Sequence, residues 1–303
     1  MTVSSTEINT AGNGHADVRQ AYAACASITR AASTNFYYAF QTLPRNKRDA
    51  IYAAYVFCRL CDDIVDEPER RGDARAELAQ VRANLAACYS GGAAPDGPLW
   101  TALADAQRKF GVKQQHFSDV IAGCEMDLTQ SRYTTFAELE QYCRRVASAV
   151  GLIVIEVCGY TGPQAVKHAE DLGIAMQLTN IIRDLAEDVR NGRTYIPQDE
   201  LLRFGYSEAE LARGETNDRS RALMAFQAGR ARSYFASGEQ LFQYLDRRSR
   251  ACPETIAQVY RRLLDRIEAS GFDVFSKRVT LSKLEKVTLA ARLWLRSHAP
   301  ALG

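Results

Sequence analysis

Two stretches of polar residues embedded in apolar sequence decide how this chain folds. Residues 173–188 read GIAMQLTNIIRDLAED, and residues 55–67 read YVFCRLCDDIVDE. When each stretch is projected as a helix, its main polar residues fall within roughly 60–80° of one another. The two stripes consist of Gln177, Asn180, Asp184 and Asp188, and of Tyr55, Arg59, Asp62 and Asp66. Each stripe therefore follows a helix whose other faces are apolar and belong inside a protein.

The acidic residues of the two stripes have two interpretations. Surface carboxylates are common and usually do no more than face water. Here, however, the flanking residues are apolar, and the same four-residue spacing occurs twice, from Asp62 to Asp66 and from Asp184 to Asp188. A buried carboxylate costs on the order of several kcal/mol unless a cation neutralises it. We therefore predict that the stripes face each other across a site that holds cations.

Mg²⁺ is the cation that fits these side chains best, with Mn²⁺ as the alternative. It prefers oxygen ligands, binds one or two carboxylates, and completes its shell with water and substrate phosphates. No histidine accompanies the acids, which disfavours zinc and iron, and the sequence contains neither an EF-hand loop nor a P-loop. Arg59, Arg183 and Arg193 supply guanidinium groups suited to a diphosphate.

The composition places the chain among ordinary globular proteins. Its 303 residues are 47% hydrophobic and 24% charged, which suffices for a large core. A net charge of +2 argues against a general nucleic-acid-binding protein. No apolar stretch reaches the roughly 18 residues that span a bilayer, and residues 1–16 lack the features of a signal peptide. We predict a disordered tail over 1–16 and a single folded domain over 17–298.

Apolar residues recur at spacings of three and four along most of the chain, and alternating strand-like sequence is scarce. This pattern predicts an all-α fold. We expect helices near 16–33, 45–67, 72–89, 97–110, 113–130, 136–160, 164–190, 217–246, 252–270 and 281–297.

Cysteines and aromatic residues each have a structural and a functional interpretation. The eight cysteines lie mostly in apolar helical sequence, which indicates free thiols in a reducing compartment. Cys58 and Cys61 form a C-x-x-C pair, but without further ligands we interpret them as core thiols rather than a zinc site. Aromatic residues are concentrated over 36–57. They either pack the core or line an apolar tunnel, where their π faces would stabilise a carbocation.

Five linked motifs together resemble the squalene/phytoene synthase family. They read STNFYYAF at 33–40, RLCDDIVDE at 59–67, YCRRVASAVG at 142–151, QLTNIIRDLAED at 177–188 and GRTYIP at 192–197. A further segment, GFDVFSKRV at 271–279, follows in the family's order. A lone D-D-x-x-D motif would be weak, because many isoprenoid enzymes carry one, but the set extends over most of the chain.

The resemblance implies an all-α, single-domain isoprenoid synthase fold with helices around a central cavity. It implies a prenyltransferase that condenses two prenyl diphosphates head to head (1′–1) with Mg²⁺, over a catalytic domain at 17–298. The implied metal ligands are Asp62, Asp66, Asn180, Asp184 and Asp188. The implied substrate-binding residues are Phe36, Phe40, Tyr55, Arg59, Gln177, Asn180, Arg183, Arg193, Tyr195 and Arg278. Tyr142 would be catalytic together with the four aspartates, facing the reacting carbons.

The prediction of prenyl chain length rests on a single position. Phe40 lies one helical turn after Phe36 on the same face, and the matching residue is more often small in relatives that form C40 products. A bulky ring there would block the far end of the tunnel. We therefore expect two farnesyl diphosphates to give presqualene diphosphate or squalene (C30), with NADPH use left open. The alternative is a phytoene synthase that condenses two geranylgeranyl diphosphates (C40).

Two other classes of protein remain as alternatives. A head-to-tail chain elongase or a terpene cyclase also uses acidic helices, but the second motif here is N-x-x-x-D-x-x-E-D. A non-catalytic binding or assembly protein would not need both acidic stripes, the arginines and Tyr142. The expected partners are prenyl diphosphates and downstream isoprenoid-pathway enzymes, without nucleic acid. Because substrate and product are both greasy, we expect a cytoplasmic protein with peripheral contact to the inner face of the membrane.

Overall fold

The computed structural model describes residues 17–32, 36–66 and 73–299. Within these ranges the chain forms helices joined by loops, with two isolated bridges and no β-strand. The all-α prediction is therefore confirmed. The tail predicted over 1–16 lies outside the described residues.

The helices follow one another along the chain with mostly short connections. They are α1 (Val18–Ala32), α2 (Tyr37–Phe40), α3 (Arg45–Asp66), α4 (Ala74–Tyr89), α5 (Pro98–Phe110), α6 (Gln114–Asp127), α7 (Phe136–Cys143), α8 (Ala149–Cys158), α9 (Gln164–Arg190), α10 (Gln198–Arg203), α11 (Glu208–Ala212), α12 (Asp218–Gly238), α13 (Arg247–Ala269) and α14 (Lys283–His298). A π-helical turn (Arg144–Ser148) joins α7 to α8, and a 3₁₀ helix (Glu239–Tyr244) follows α12.

Every predicted long helix has a counterpart in the structure, and the differences have local causes. The helix predicted over 136–160 is interrupted by the π turn, which shifts the register of the side chains that follow Tyr142. The helix predicted over 252–270 begins at Arg247, so that Pro253 lies inside it rather than in its first turn. The short helices α2, α10 and α11 span four to six residues and are too brief to produce a periodic signal.

The two helices with acidic stripes, α3 and α9, lie at the centre of the molecule. α3 packs against α1, α4, α5, α6 and α8, whereas α9 packs against α7, α8, α12 and α13. α8 touches both central helices, and its sequence AVGLIVIEVC is almost entirely apolar. The apolar faces on each side of the stripes are thus covered by neighbouring helices, as the sequence predicts.

A glycine allows α9 to approach the π turn closely. A Cβ atom at Gly173 would lie only 2.7 Å from the backbone N and Cα atoms of Ser148. The Ser148 hydroxyl donates a 2.7 Å hydrogen bond to the Glu170 carbonyl and fixes the two segments to each other. This contact holds Val146 and Ala147 of the π turn against the central cavity.

Candidate active site

A cavity of about 330 Å³ lies between the central helices. Its wall is mostly aliphatic and aromatic, with contributions from α2, α3, α6, α8, α9 and α13. The side chains that bring charge or an amide to the wall are Arg59, Asp62, Gln177 and Asn180, all from the two acidic stripes. Phe36, Phe40 and Tyr55 also line the cavity. The predicted central cavity is therefore present, with the polar stripes on one part of an otherwise apolar wall.

The acids of α3 point in different directions. Asp62 faces the cavity, where burial by the surrounding protein, reinforced by the Asp66 carboxylate, raises its pKa to about 7. Asp66 is more exposed and accepts a 3.1 Å hydrogen bond from Nη1 of Arg193. Asp63 is only 3% exposed and forms an ion pair with Arg59, one helical turn earlier. Asp63 thus holds Arg59 at the cavity wall instead of facing the cavity itself.

The acids of α9 are also differentiated by their neighbours. Asp184 accepts hydrogen bonds from Nε of Arg183 at 2.9 Å and from Nε of Arg278 at 2.8 Å. Burial opposes ionisation of Asp184, but these two guanidinium groups hold its pKa below the ordinary value. Among the described residues no side chain donates a hydrogen bond to the Asp188 carboxylate, and burial together with the Asp184 charge raises its pKa to about 7. Asp184 is thus neutralised by two arginines, whereas Asp188 experiences only the longer-range charge of Arg193.

Asp127, at the end of α6, brings the two stripes together. Its charge raises the pKa of both Asp62 on α3 and Asp188 on α9, which places the stripes around one region. Its carboxylate accepts hydrogen bonds from the hydroxyls of Tyr195, at 2.8 Å, and Tyr142, at 3.1 Å. The sequence did not identify Asp127, because a single acid with no partner one turn away leaves no periodic signal.

The tyrosine pair beside Asp127 is buried and stacked. The rings of Tyr142 and Tyr195 have centroids 5.1 Å apart, and their hydroxyl oxygens lie 3.3 Å from each other. Burial, followed by the Asp127 charge, raises the pKa of Tyr142 well above 10. The Tyr142 hydroxyl therefore stays protonated at neutral pH and acts as a hydrogen-bond donor.

Two further residues at the site were not predicted from the sequence. Tyr260 of α13 lines the cavity, and its hydroxyl lies beside the side chains of Asn180 and Arg183. Lys286 of α14 is 6% exposed, and burial together with the nearby Arg183 lowers its pKa. The sequence gives only one signal for Lys286, namely its position on the inner face of an amphipathic helix. A lysine in such a position more often buries its aliphatic stem and extends its charged end to solvent.

The residues present fit a hard divalent cation. The Asn180 side-chain oxygen is buried and accepts no hydrogen bond among the described residues, while its Nδ2 donates to Gln177 Oε1 at 3.3 Å. Together with Asp62, Asp66, Asp184 and Asp188 it offers oxygen ligands of the type that Mg²⁺ prefers. In the described part of the chain, no three acidic, cysteine or histidine side chains converge on one point.

No helix within the described ranges is long and apolar enough to cross a membrane. All eight cysteines are free thiols. Cys61 is buried in the core, as predicted, whereas Cys58 of the same helix, α3, is partly exposed and lines the cavity.

Comparisons with known proteins agree with this geometry. The family model for squalene/phytoene synthases matches residues 29–285. A 15-cis-phytoene synthase of Synechocystis is 39% identical over 295 residues, which cover 93% of this chain and 87% of the relative. A phytoene synthase of Mycobacterium tuberculosis is 39% identical over 278 residues, or 91% of each chain. Among solved structures, a dehydrosqualene synthase matches with a TM-score of 0.85 and 30% identity, over 93% of this chain and 98% of that one.

The matched region includes the cavity, both acidic helices and the arginines that contact them. The family match ends at residue 285, so that Lys286 and the rest of α14 lie outside it. The chain therefore belongs to the squalene/phytoene synthase family and is a prenyltransferase.

Proposed function

We propose that this chain is a phytoene synthase, which condenses two geranylgeranyl diphosphates head to head into a C40 hydrocarbon. The observation that carries the choice of substrate is that the curated relatives at 39% identity, over nine-tenths of the chain, are phytoene synthases. This similarity favours the C40 alternative over the C30 product that Phe40 predicts. Head-to-head condensation of prenyl diphosphates is common to both.

The packing of Phe40 explains why a bulky ring at this position is a weak guide to chain length. Phe40 is 4% exposed, and its ring contacts Tyr52 and Tyr55 edge-on, with centroids 6.1 and 6.0 Å away. Phe36 stacks alongside it at 6.1 Å. The ring is part of a packed aromatic wall, and part of its volume fills space between its neighbours rather than space in the tunnel. Its size therefore does not set the length of the tunnel directly.

The charged groups act on the diphosphate. Arg193 pairs with Asp66 and Arg278 pairs with Asp184. In the proposed reaction both arginines exchange these carboxylates for phosphate oxygens when substrate binds. Arg59 contributes from the cavity wall. When bound to the aspartates and Asn180, Mg²⁺ would supply positive charge that stabilises the departing diphosphate.

The apolar and aromatic wall protects the allylic cation. Departure of the first diphosphate leaves a carbocation, which the double bond of the second substrate attacks. Aliphatic residues exclude water, and the rings of Phe36 and Tyr55 line the cavity, where their π electrons would stabilise a cation. The released diphosphate is the base proposed for the proton lost in forming the cyclopropyl intermediate, while Tyr142, whose pKa is raised by burial, acts as a hydrogen-bond donor.

The C40 reaction is balanced without a reductant. Two geranylgeranyl diphosphates lose two diphosphates and two protons to form phytoene, whereas squalene formation needs a hydride from NADPH. The proposed reaction therefore does not use NADPH. A dependence of product formation on NADPH would indicate squalene formation, whereas phytoene and dehydrosqualene form without it.

Dehydrosqualene formation from farnesyl diphosphate is the second candidate. Two observations favour it, namely the structural match to a dehydrosqualene synthase and the aromatic residue at Phe40. Both candidates use the same charged groups, so the difference lies only in the chain length that the cavity accepts.

The experiment is to incubate the full chain with Mg²⁺ and geranylgeranyl or farnesyl diphosphate, with and without NADPH, and to identify products by mass spectrometry. We expect phytoene from geranylgeranyl diphosphate, independent of NADPH. C30 product from farnesyl diphosphate, with none from geranylgeranyl diphosphate, would overturn the C40 assignment and leave the reaction type intact. Absence of both products and of diphosphate release would favour a binding protein. Asp265→Asn, which changes an exposed acid outside the site, serves as the matched control for variants of the aspartates.

A further inference from the structure

Four of the five large hydrophobic side chains that stand exposed among the described residues lie on one helix, α14. They are Leu284 (74% exposed), Val287 (41%), Trp294 (41%) and Leu295 (61%). Single exposed apolar residues are normal, but a patch formed by several of them on one helix is typical of a surface that binds a protein, a membrane or a ligand. The opposite face of α14 is already buried in the protein, through Lys286, Leu289, Ala290, Leu293 and Ser297.

The exposed residues form one continuous stripe. Projected at 100° per residue, the four side chains and the exposed Ala291 between them lie within an arc of roughly 100°. Lys283 borders this arc on one side and Arg292 on the other, and both are exposed. No carboxylate lies within the arc, which also contains the exposed His298. The one acid of the helix, Glu285, lies about 80° outside the arc and is bound by Arg266 and Ser282.

More positive charge surrounds the two ends of the stripe. Arg247 and Arg248, at the start of α13, are exposed, and Arg247 donates a hydrogen bond to the Ala299 carbonyl just after α14. Lys277 is exposed in the segment that leads into the helix. Arg296 extends from the last turn with a side chain that is 63% exposed, although it also pairs with Glu254. Exposed basic side chains thus lie beside the stripe and in the segments at its two ends, where they outnumber the acids Glu285 and Asp246.

We propose that this face of α14 docks on the surface of an anionic lipid bilayer. An apolar stripe that contains tryptophan and leucine and is bordered by lysine and arginine is the pattern of a helix that lies in the membrane interface. The apolar residues enter the boundary between headgroups and acyl chains, while the cations bind acidic headgroups. A second copy of this chain is a poorer occupant, because joining two identical faces would bring their basic borders together.

The position of α14 connects this surface to the cavity. Its buried face packs on α13 and on α2, and both of these elements contribute residues to the cavity wall, including Phe40 and Tyr260. A bilayer on the outer face of α14 would therefore lie one helix away from the bound prenyl chains. This link to a hydrocarbon product rests on the proposed function, whereas the docking itself does not.

Trp294 provides a direct probe for the test. The chain contains two tryptophans, and Trp100 is 2% exposed within α5, so a Trp100→Phe variant reports on Trp294 alone. This variant is mixed with vesicles of phosphatidylcholine that contain about one-third phosphatidylglycerol, and with vesicles of phosphatidylcholine only. We expect a blue shift of the fluorescence and quenching by brominated lipids with the anionic vesicles, both weakened by high salt.

Matched variants of the full chain then locate the surface by co-sedimentation with the same vesicles. Trp294→Ser combined with Leu295→Ser should weaken partitioning by about tenfold, and Arg292→Gln by about fivefold at low salt. The controls are Leu202→Ser, since Leu202 is 82% exposed on α10, and Arg75→Gln, an exposed arginine of α4. Both controls should partition like the unchanged chain.

Several results would overturn the proposal. These are absence of binding to anionic vesicles, binding without Trp294 quenching, and equal losses for the Leu202→Ser control. A dimer in analytical ultracentrifugation that the Trp294→Ser and Leu295→Ser changes dissociate, without vesicle binding, would assign the face to a second copy. The binding assay contains no prenyl diphosphate, so its result is separate from that of the product assay. Vesicle binding by a chain that makes no product would refute only the proposed function.

Discussion

The carboxylate of Asp127 provides the sharpest test of how this site positions its tyrosines. In Asp127→Asn one acceptor oxygen remains, and the other becomes an amide group that can only donate, opposite a hydroxyl that also donates. The tyrosine facing the amide must then accept rather than donate, so at least one of the bonds donated to a charged oxygen by Tyr195, at 2.8 Å, and Tyr142, at 3.1 Å, is lost. A hydrogen bond to a charged group contributes about 1.5–3 kcal/mol. If it positions Tyr142 in the transition state, turnover should fall about 10- to 150-fold.

The assay is steady-state release of diphosphate, with circular dichroism and the melting temperature as checks on folding. Asp265→Asn is the control, since Asp265 is an exposed acid paired with Arg232 on the outer surface. Combining Asp127→Asn with Tyr195→Phe should be non-additive by about 1 kcal/mol or more, because both changes remove the same bond. A turnover within twofold of the unchanged enzyme, or strictly additive effects, would refute the positioning role of Asp127.

The acidic helices, the cavity wall and the buried carboxylates each give a further test. Asp62→Asn and Asp184→Asn should each lower turnover by about a hundredfold or more with an unchanged circular dichroism spectrum, and near-normal activity would contradict their role. Phe40→Ala should lower the free energy of unfolding by about 3–5 kcal/mol in urea, with phytoene still the main product; a new product length would instead show that Phe40 sets the tunnel's end. Burial raises the pKa of Asp62 and Asp188 to about 7, whereas aspartates in an unfolded chain titrate near pH ~4. The folded, metal-free protein therefore holds protons that the unfolded chain has released, and its free energy of unfolding should fall between about pH 4 and 7. Urea titrations in EDTA should show a smaller fall for the Asp62→Asn, Asp188→Asn double variant, and equal falls would contradict the shifted pKa values.

The helices and the acidic stripes could be predicted from the sequence because both are properties of local spacing. A helix brings residues three and four apart onto one face, so the stripe from Tyr55 to Asp66 is visible without any knowledge of the fold. The same holds for the stripe from Gln177 to Asp188 and for the inner face of α14. The order of the motifs was sufficient to indicate the family.

Only the tertiary structure shows that neighbouring residues in one motif have different environments. Asp62 and Asp63 are adjacent in sequence but lie about 100° apart around the helix. Which of these directions faces a cavity depends on the helices packed around α3, and here Asp62 faces it while Asp63 pairs with Arg59. The spacing of the stripe placed Asp63 at its edge and could not decide between these environments.

The sequence by itself determined the all-α class, the position of the long helices and the two polar stripes, since each depends on residues within a few turns of one another. The tertiary structure alone decided that Asp127, Tyr260 and Lys286 join the site, and that α14 presents a second apolar face to solvent. Asp127 and Lys286 are separated by more than half the chain, and each lacks a partner one turn away that would mark it. Contacts of this kind arise when separate helices pack, because packing is set by the whole core and not by any local pattern.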